Sequence, residues 1–551
     1  MRTFAFALLL SLTTTIAAAQ TRQAPPTPQP PQTPREPTRA EILRGAYSPL
    51  RANNDLLSYD LKVRVDPEKK FISGRNTIRF RMLKDDTRIQ LDLFANLNVD
   101  KILLGQSPLK YERELNTVFV DFPETLAKNR VYSIDFYYSG NPTETGRFGG
   151  IAFKKDSAGH FWINTACQGT PGAAVWWPNK DQQLDEVENM HLSVEVPSDL
   201  VDVSNGHFLG KTDLGDGYTR YDWFIQYPIN NYCVSLNIGN YVHFTDTVDG
   251  MTLDFYCLPE DLEKAKAQFP QAKTMIQAYQ KYFGEYPFKK DGYKLIEAPY
   301  SGMEHQSAVT YGNHFANGYL ERDWTGVGIS TRFDFIIVHE SAHEWWGNSV
   351  TAGDVCDEWI HEGWGTYAES VYVEHMWGKD DALKYLSGYK SKVRNQTPVI
   401  TACGLNRTPP QDMYFKGALF LNTLRSVVDN DTRWWKLVRD TYAHFKYQDI
   451  TTDDMVKFFN KETGKDFTPL FDEYLRHADL PTLELQFKDD GTVSYRWKAD
   501  VKAFAMPVKA GARGAWQILQ PTTEWKTMKS AVKAEDFEVA TDLYYVNVSK
   551  K

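Results

Sequence analysis

Between residues 50 and 245 the side chains alternate with a period of two. Tyr59, Leu61, Val63 and Val65 take turns with Asp60, Lys62 and Arg64. Asn76, Ile78, Phe80 and Met82 alternate with Arg75, Thr77, Arg79 and Arg81, and Ile89, Leu91 and Leu93 with Gln90 and Asp92. Successive residues of a strand face opposite sides, so the pattern predicts half-buried strands with one wet face. Turn residues punctuate the runs at Asp66-Pro67, Ser139-Gly140-Asn141-Pro142 and Ser204-Asn205-Gly206. The period then changes. Met275, Ile276, Tyr279, Tyr282 and Phe283 recur at helical spacing and stop before Pro287, and helical patterning rich in Trp and Tyr continues to about residue 478. Alternation returns at Leu483, Leu485 and Phe487 and at Val493, Tyr495 and Trp497. The expected fold class is a multidomain α+β protein. An N-terminal antiparallel β domain occupies residues 46–248, a mainly α domain 249–479, and a small β domain 480–551.

Ahead of these elements the chain reads as a leader. Arg2, the apolar run Phe4 to Leu12 and the small residues Ala17-Ala18-Ala19 have the layout of a secretory signal peptide over residues 1–19. Seven prolines between 24 and 37 predict an extended linker, assigned to residues 20–45. Export to a periplasm or to the medium follows as the expected localisation. No other apolar run approaches the ~18–20 residues that span a bilayer.

Composition narrows the class further. With 42% hydrophobic and 24% charged residues among 551, the chain has the ordinary globular mix, which excludes a disordered or collagen-like protein. A net charge of −9 with no basic tract argues against a nucleic-acid partner. The five cysteines, Cys167, Cys233, Cys257, Cys356 and Cys403, form no C-x-x-C pair, so neither a cysteine zinc site nor a redox motif is expected. An odd count leaves at least one thiol unpaired; one or two disulfides fit, and their pairing stays open, as does the oligomeric state.

Chemistry concentrates at His339-Glu340-Ser341-Ala342-His343. On a helix, positions i and i+4 share a face, so the two imidazoles can bind one ion while Glu340 takes a proton from a water beside it. Glu362 follows His343 by 19 residues. Two His and one Glu leave the fourth position of a zinc ion open, as a catalytic site requires. The spacing suits one helix bearing both histidines, a loop around Ala352-Gly353-Asp354, and a second helix presenting Glu362. His361 points off that face and reads as structural.

The stretch HESAHEWWGNSVTAGDVCDEWIHEGWGTYAE, from His339 to Glu369, resembles the zinc-binding core of the M1 family of metallo-aminopeptidases, whose H-E-x-x-H-(x)18-E spacing it meets. Ser301-Gly302-Met303-Glu304-His305 resembles the family's G-x-M-E-N exopeptidase motif, and Tyr414-Phe415-Lys416-Gly417-Ala418 its Y-x-K-G segment. The resemblance extends over nearly the whole chain after residue 50. It implies that the central domain is a thermolysin-like catalytic domain holding one Zn2+ through His339, His343 and Glu362. It also implies Glu340 as the general base and Tyr414 as the donor to the transition state. Glu304 would bind the substrate's free ammonium, with Gly302, Met303 and Gln168 in contact with substrate.

Two departures stand out. His305 replaces the motif's Asn and Ser301 its first Gly; an imidazole there would narrow the site or titrate near neutral pH. The sequence also stops at Lys551, without the large helical domain many members carry, so a more open site or closure by a partner is expected. The function expected is a zinc aminopeptidase acting on peptides with a free N-terminus. One alternative is an endopeptidase on the same scaffold, which Glu304 disfavours, since an unpaired carboxylate repels an internal peptide bond. The others are epoxide opening, known within the family, and an exported peptide-binding protein with an inactive site. Intact His339, Glu340, His343, Glu362 and Tyr414 speak against the last.

Overall fold

A computed structural model of the protein describes residues 35–145, 149–169 and 171–551. The signal-peptide layout and most of the proline-rich stretch lie outside these residues. Helix α1 (Arg39–Gly45) falls inside the stretch expected to be linker. Its start is a capping box: the Thr38 hydroxyl accepts from the Glu41 backbone N–H, and the Glu41 carboxylate accepts from the Thr38 N–H. Gly45 lets the helix end lie directly on another segment, because a Cβ there would fall 2.2 Å from the backbone N of Asn406. Arg407 completes the clamp with a bidentate pair to Glu41.

The alternating segments form strands as expected. Asn54–Asp66 and Phe71–Met82 pair antiparallel, with Tyr59 opposite Ile78 and Leu61 opposite Asn76. Leu61, Val63, Val65, Ile72, Ile78 and Phe80 are buried. This eight-stranded sheet departs from pure antiparallel pairing at one place: Asn54–Asp66 runs parallel to Asn189–Pro197. The intervening chain builds strands of two other sheets before it returns, and a long crossover of that kind is what parallel pairing needs. A separate four-stranded sheet contains Phe161–Ala166, whose end delivers Gln168 towards the centre of the molecule.

A five-stranded mixed sheet follows, ordered Val242–Val248, Met251–Cys257, Tyr293–Glu297, Val309–Tyr311 and Gly302–Met303. Its last member is an edge strand, antiparallel to Val309–Tyr311. Against it pack α2 (Leu262–Gln268), α3 (Gln271–Tyr282) and α4 (Phe335–Ala342); α5 (Trp359–Trp377) packs on α4, and α6 (Lys379–Tyr389), α7 (Asp412–Val428), α8 (Asp431–Phe445) and α9 (Thr452–Thr463) extend the helical layer from there. The predicted stripe of α3 is its buried face. Helix α4 is buried on every side, consistent with the unbroken apolar run Phe335 to Val338; Asp334 caps it, accepting from the N–H groups of Ile336 and Ile337.

The C-terminal strands form a four-stranded and a three-stranded sheet. They do not rest on a core of their own. Leu483, Leu485, Val493 and Trp497 belong to one apolar cluster with Phe420 and Tyr474 of the helical region. Tyr474 donates to the Tyr545 carbonyl at 2.8 Å, and the buried Lys416 ammonium donates to the carbonyls of His477 and Ala478. One disulfide, Cys356–Cys403, is present; Cys167, Cys233 and Cys257 are free and buried. Among the described residues no helix is long and apolar enough to cross a membrane.

Candidate active site

His339 and His343 stand one turn apart at the end of α4, His343 being the helical C-cap residue. Each ring is oriented through its Nδ1. His339 Nδ1 lies 2.7 Å from Glu369 Oε1, and His343 Nδ1 donates to the Trp346 carbonyl at 3.0 Å. Both Nε2 atoms therefore turn inward, 3.6 and 3.4 Å from Glu362 Oε2. Glu362 sits in the first turn of α5. Its Oε1 accepts from Tyr414 at 2.8 Å and from Gln168 at 2.5 Å, while its buried Oε2 has no hydrogen-bond partner among the described residues.

These three donors fit a zinc ion. Ligands about 2.1 Å from a tetrahedral ion lie ~3.4 Å from one another, close to the separations found. The field also favours positive charge. Burial alone would lower the basicity of His343, yet Glu362 and Glu304 together outweigh it and push the imidazole up to about 9. Burial likewise opposes ionisation of Glu362, but the two imidazoles hold it well below the usual carboxylate range. A place that holds protons this firmly would hold a dication.

Glu340 is carried on the same helix, one residue past His339. It faces Gly302, where a Cβ would fall 2.9 Å from Glu340 Cγ and 3.0 Å from its Oε1. The absent side chain is what lets the edge strand approach the carboxylate. Burial raises the pKa of Glu340 to about 7; Glu304 and Glu362 add to this, and the two histidines oppose it.

On the other side lies a second carboxylate, Glu304, 1% exposed. Its Oε1 accepts from Gln168 Nε2 at 3.0 Å and from the Tyr232 hydroxyl at 3.2 Å. Gln168 thus bridges Glu304 and Glu362. The whole opens into a cleft of about 880 Å³, whose far wall is aromatic: Tyr319, Trp324, Phe335, Tyr389 and Phe415.

Of the residues singled out from sequence, His339, His343, Glu362, Glu340, Tyr414, Glu304, Gly302 and Gln168 converge here. Met303 does not line this cleft. It is buried in the apolar cluster of the β domain with Ile163 and Ile296, because alternation along the strand sends Gly302 and Glu304 one way and Met303 the other. His305 behaves otherwise than expected. It is fully buried, neither ring nitrogen has a hydrogen-bond partner among the described residues, and burial lowers its pKa to about 3. It stays neutral, does not titrate near pH 7 and does not narrow the cleft. His361 is occupied elsewhere, its Nε2 accepting from the Ala352 N–H at 2.8 Å.

Sequence reasoning missed two supporting residues. Glu369 orients His339 and accepts from the Tyr385 hydroxyl at 2.7 Å and also from that of Tyr389. It lies seven residues beyond Glu362, two turns along one helix face, so the spacing carried a signal. Tyr232 comes from a distant part of the chain and had none.

The family models described as "Peptidase M1 N-terminal domain" and "Peptidase family M1 domain" match residues 56–232 and 268–474. The chain belongs to peptidase family M1. It is 23% identical over 347 residues to human endoplasmic reticulum aminopeptidase 1, covering 60% of this chain and 36% of that protein. To the puromycin-sensitive aminopeptidase of Caenorhabditis elegans it is 22% identical over 399 residues, covering 69% and 41%. The chain spans about two-fifths of the length of these relatives. Among solved structures, an M1 zinc metallopeptidase from Deinococcus radiodurans superposes with a TM-score of 0.65 at 19% identity, covering 78% of this chain and 95% of that one. A mutant of that enzyme bound to a Tyr-Ser-Ala substrate gives 0.64 at 18% identity, covering 78% and 96%. These likenesses show the fold.

Proposed function

We propose that the protein is a zinc aminopeptidase that releases the N-terminal residue of peptides with a free amino terminus. One observation carries the reading: a buried carboxylate, Glu304, is held by Gln168 and Tyr232 beside the His339–His343–Glu362 set. Among the described residues no lysine or arginine pairs with this buried carboxylate, which suits it to the ammonium of a peptide N-terminus. A chain continuing past Glu304 would bring an uncharged peptide group, not an ammonium, against that carboxylate.

His339, His343 and Glu362 would hold the zinc, which when bound polarises the scissile carbonyl and lowers the pKa of a water. Glu340 takes the proton of the attacking water and passes it to the leaving amine. The Tyr414 phenol, already a donor towards the centre of the site, donates to the oxyanion as charge builds. Gln168 and Tyr232 hold Glu304 in position for the ammonium. The signal-peptide-like pattern of residues 1–19 supports export, and the Cys356–Cys403 disulfide is in keeping with an oxidising compartment.

The test compares one short peptide with free and with acetylated N-terminus, with and without a chelator. Stepwise loss of N-terminal residues from the free peptide alone, abolished by chelation, is the expected result. Equal internal cleavage of the acetylated peptide would overturn it in favour of an endopeptidase.

A further inference from the structure

Tyr414 and Gln168 come from different domains yet donate to the same atom, Glu362 Oε1. Tyr414 stands in the first turn of α7, behind a stretch, 390–411, that joins α6 to α7 without helix or strand. A loop of that length keeps one conformation only if other segments anchor it. The Cys356–Cys403 disulfide and the Asp354 carboxylate, which accepts from the Gly404 N–H at 2.8 Å, fix its middle. Beyond them, among the described residues, every hydrogen bond from residues 405–408 to another part of the chain goes to α1. The Asn406 N–H donates to the Glu41 carbonyl at 3.0 Å, and Arg407 forks onto the Glu41 carboxylate with two bonds of 3.1 Å. Pro409 and Pro410 follow; with their φ angles fixed, they carry any displacement of Arg407 on to α7.

The same short helix grips the Gln168 side. Arg44 Nη2 donates to the Pro171 carbonyl and to Asp181 Oδ2, both at 2.7 Å, and Asp181 also accepts from the N–H groups of Ala173 and Ala174. Gln182 Nε2 donates to the Gly45 carbonyl at 3.0 Å. The helix is itself fixed to the β domain: Arg51 donates to the Arg44 and Ala46 carbonyls and pairs with Asp92, both side chains being fully buried. We propose that α1 is a positioning element of the active site, in which Glu41–Arg407 holds Tyr414, and Arg44–Asp181 holds Gln168, over Glu362. The proposal rests on the aminopeptidase reading, which gives those two donors their roles. Among the described residues none of α1 lines the cleft, so its effect on the reaction passes through the two arms. A donor misplaced by about 1 Å is enough to slow a reaction up to about a hundredfold.

The experiment is a pair of double-mutant cycles on the full chain, read with one tripeptide bearing a free N-terminus. Arg407→Ala should lower kcat about tenfold with little change in KM, because it loosens the Tyr414 arm. Arg44→Ala should raise KM about tenfold, because Gln168 holds Glu304 for the ammonium. Placed on Tyr414→Phe, Arg407→Ala should shift kcat by less than about twofold, and Arg44→Ala on Gln168→Ala should do the same to KM, since each acts through a group already removed. An effect of equal size with and without the donor would mark a merely structural helix and overturn the proposal, as would wild-type kcat and KM in both single variants. Should an arginine variant fail to fold, Gly45→Ala decides by the same cycles. Its Cβ would fall 2.2 Å from the Asn406 N and wedge α1 off the loop without removing an ion pair. A wild type that releases no N-terminal residue would instead remove the aminopeptidase reading, and the proposal with it.

Discussion

Tyr414 reaches Glu362 at 2.8 Å because their helices touch backbone to backbone three residues deeper in α7 and one residue deeper in α5. At that crossing Gly417 faces Gly363, and a Cβ on Gly417 would fall 2.9 Å from the Gly363 Cα. No side-chain rotation relieves a clash with backbone. Gly417→Ala should therefore part the first turns of α5 and α7 and lower kcat by about 10–100-fold, with KM changed little. Steady-state kinetics decide; an unchanged kcat would show that Tyr414 does not depend on this crossing.

Glu369 would act on a bound zinc through His339, whose Nδ1 it holds at 2.7 Å. Glu369→Gln keeps the volume but removes the negative acceptor for His339 Nδ1 and for Tyr385 and Tyr389. Zinc affinity should fall about 10–100-fold, read by competition with a chelator of known strength. Retention of wild-type affinity would remove Glu369 from the site.

The disulfide ties the turn before α5 to the segment that leads into α7. Cys356 and Cys403 close a loop of 47 residues. The chain-entropy account assigns a loop of that size about 4 kcal/mol, and engineered cases often deliver less. Cys403→Ser should lower unfolding stability by about 2–4 kcal/mol in denaturant titrations. A midpoint that moves by less than experimental error would contradict this.

Asp202 gives a pH dependence with a definite sign. It is buried at 1% exposure and accepts from Trp223 Nε1 at 2.9 Å; burial raises its pKa to about 8. The folded state thus keeps a proton that the unfolded chain loses near pH 4. Stability from this group is intact below that pH and declines as pH rises towards 8. Asp202→Asn keeps the acceptor without the ionisation. It should match the wild type near pH 4 and exceed it at pH 8 by on the order of 1–3 kcal/mol. Parallel stability curves across that range would refute the assignment.

The strands of the β domain and the buried stripe of α3 were legible in periodicity, since a half-buried element writes its geometry into its sequence at 2.0 or 3.6 residues. The candidate metal set was partly legible: helix spacing puts His339 and His343 on one face of α4, while Glu362 reaches them only because α5 packs against α4. Glu369 was within reach of the same rule. Tertiary structure decided everything that depended on distant segments meeting. It brought Gln168 and Tyr232 from the β domain onto Glu304, set Tyr414 against Glu362 by a contact between two glycines, and paired Cys356 with Cys403. It also took His305 out of the chemistry. A residue type and a motif position announce an imidazole beside the active site; only packing determines that it is sealed from water and stays uncharged. Local periodicity is a property of one element, whereas the polarity, charge and partners of a side chain are properties of the space several elements enclose.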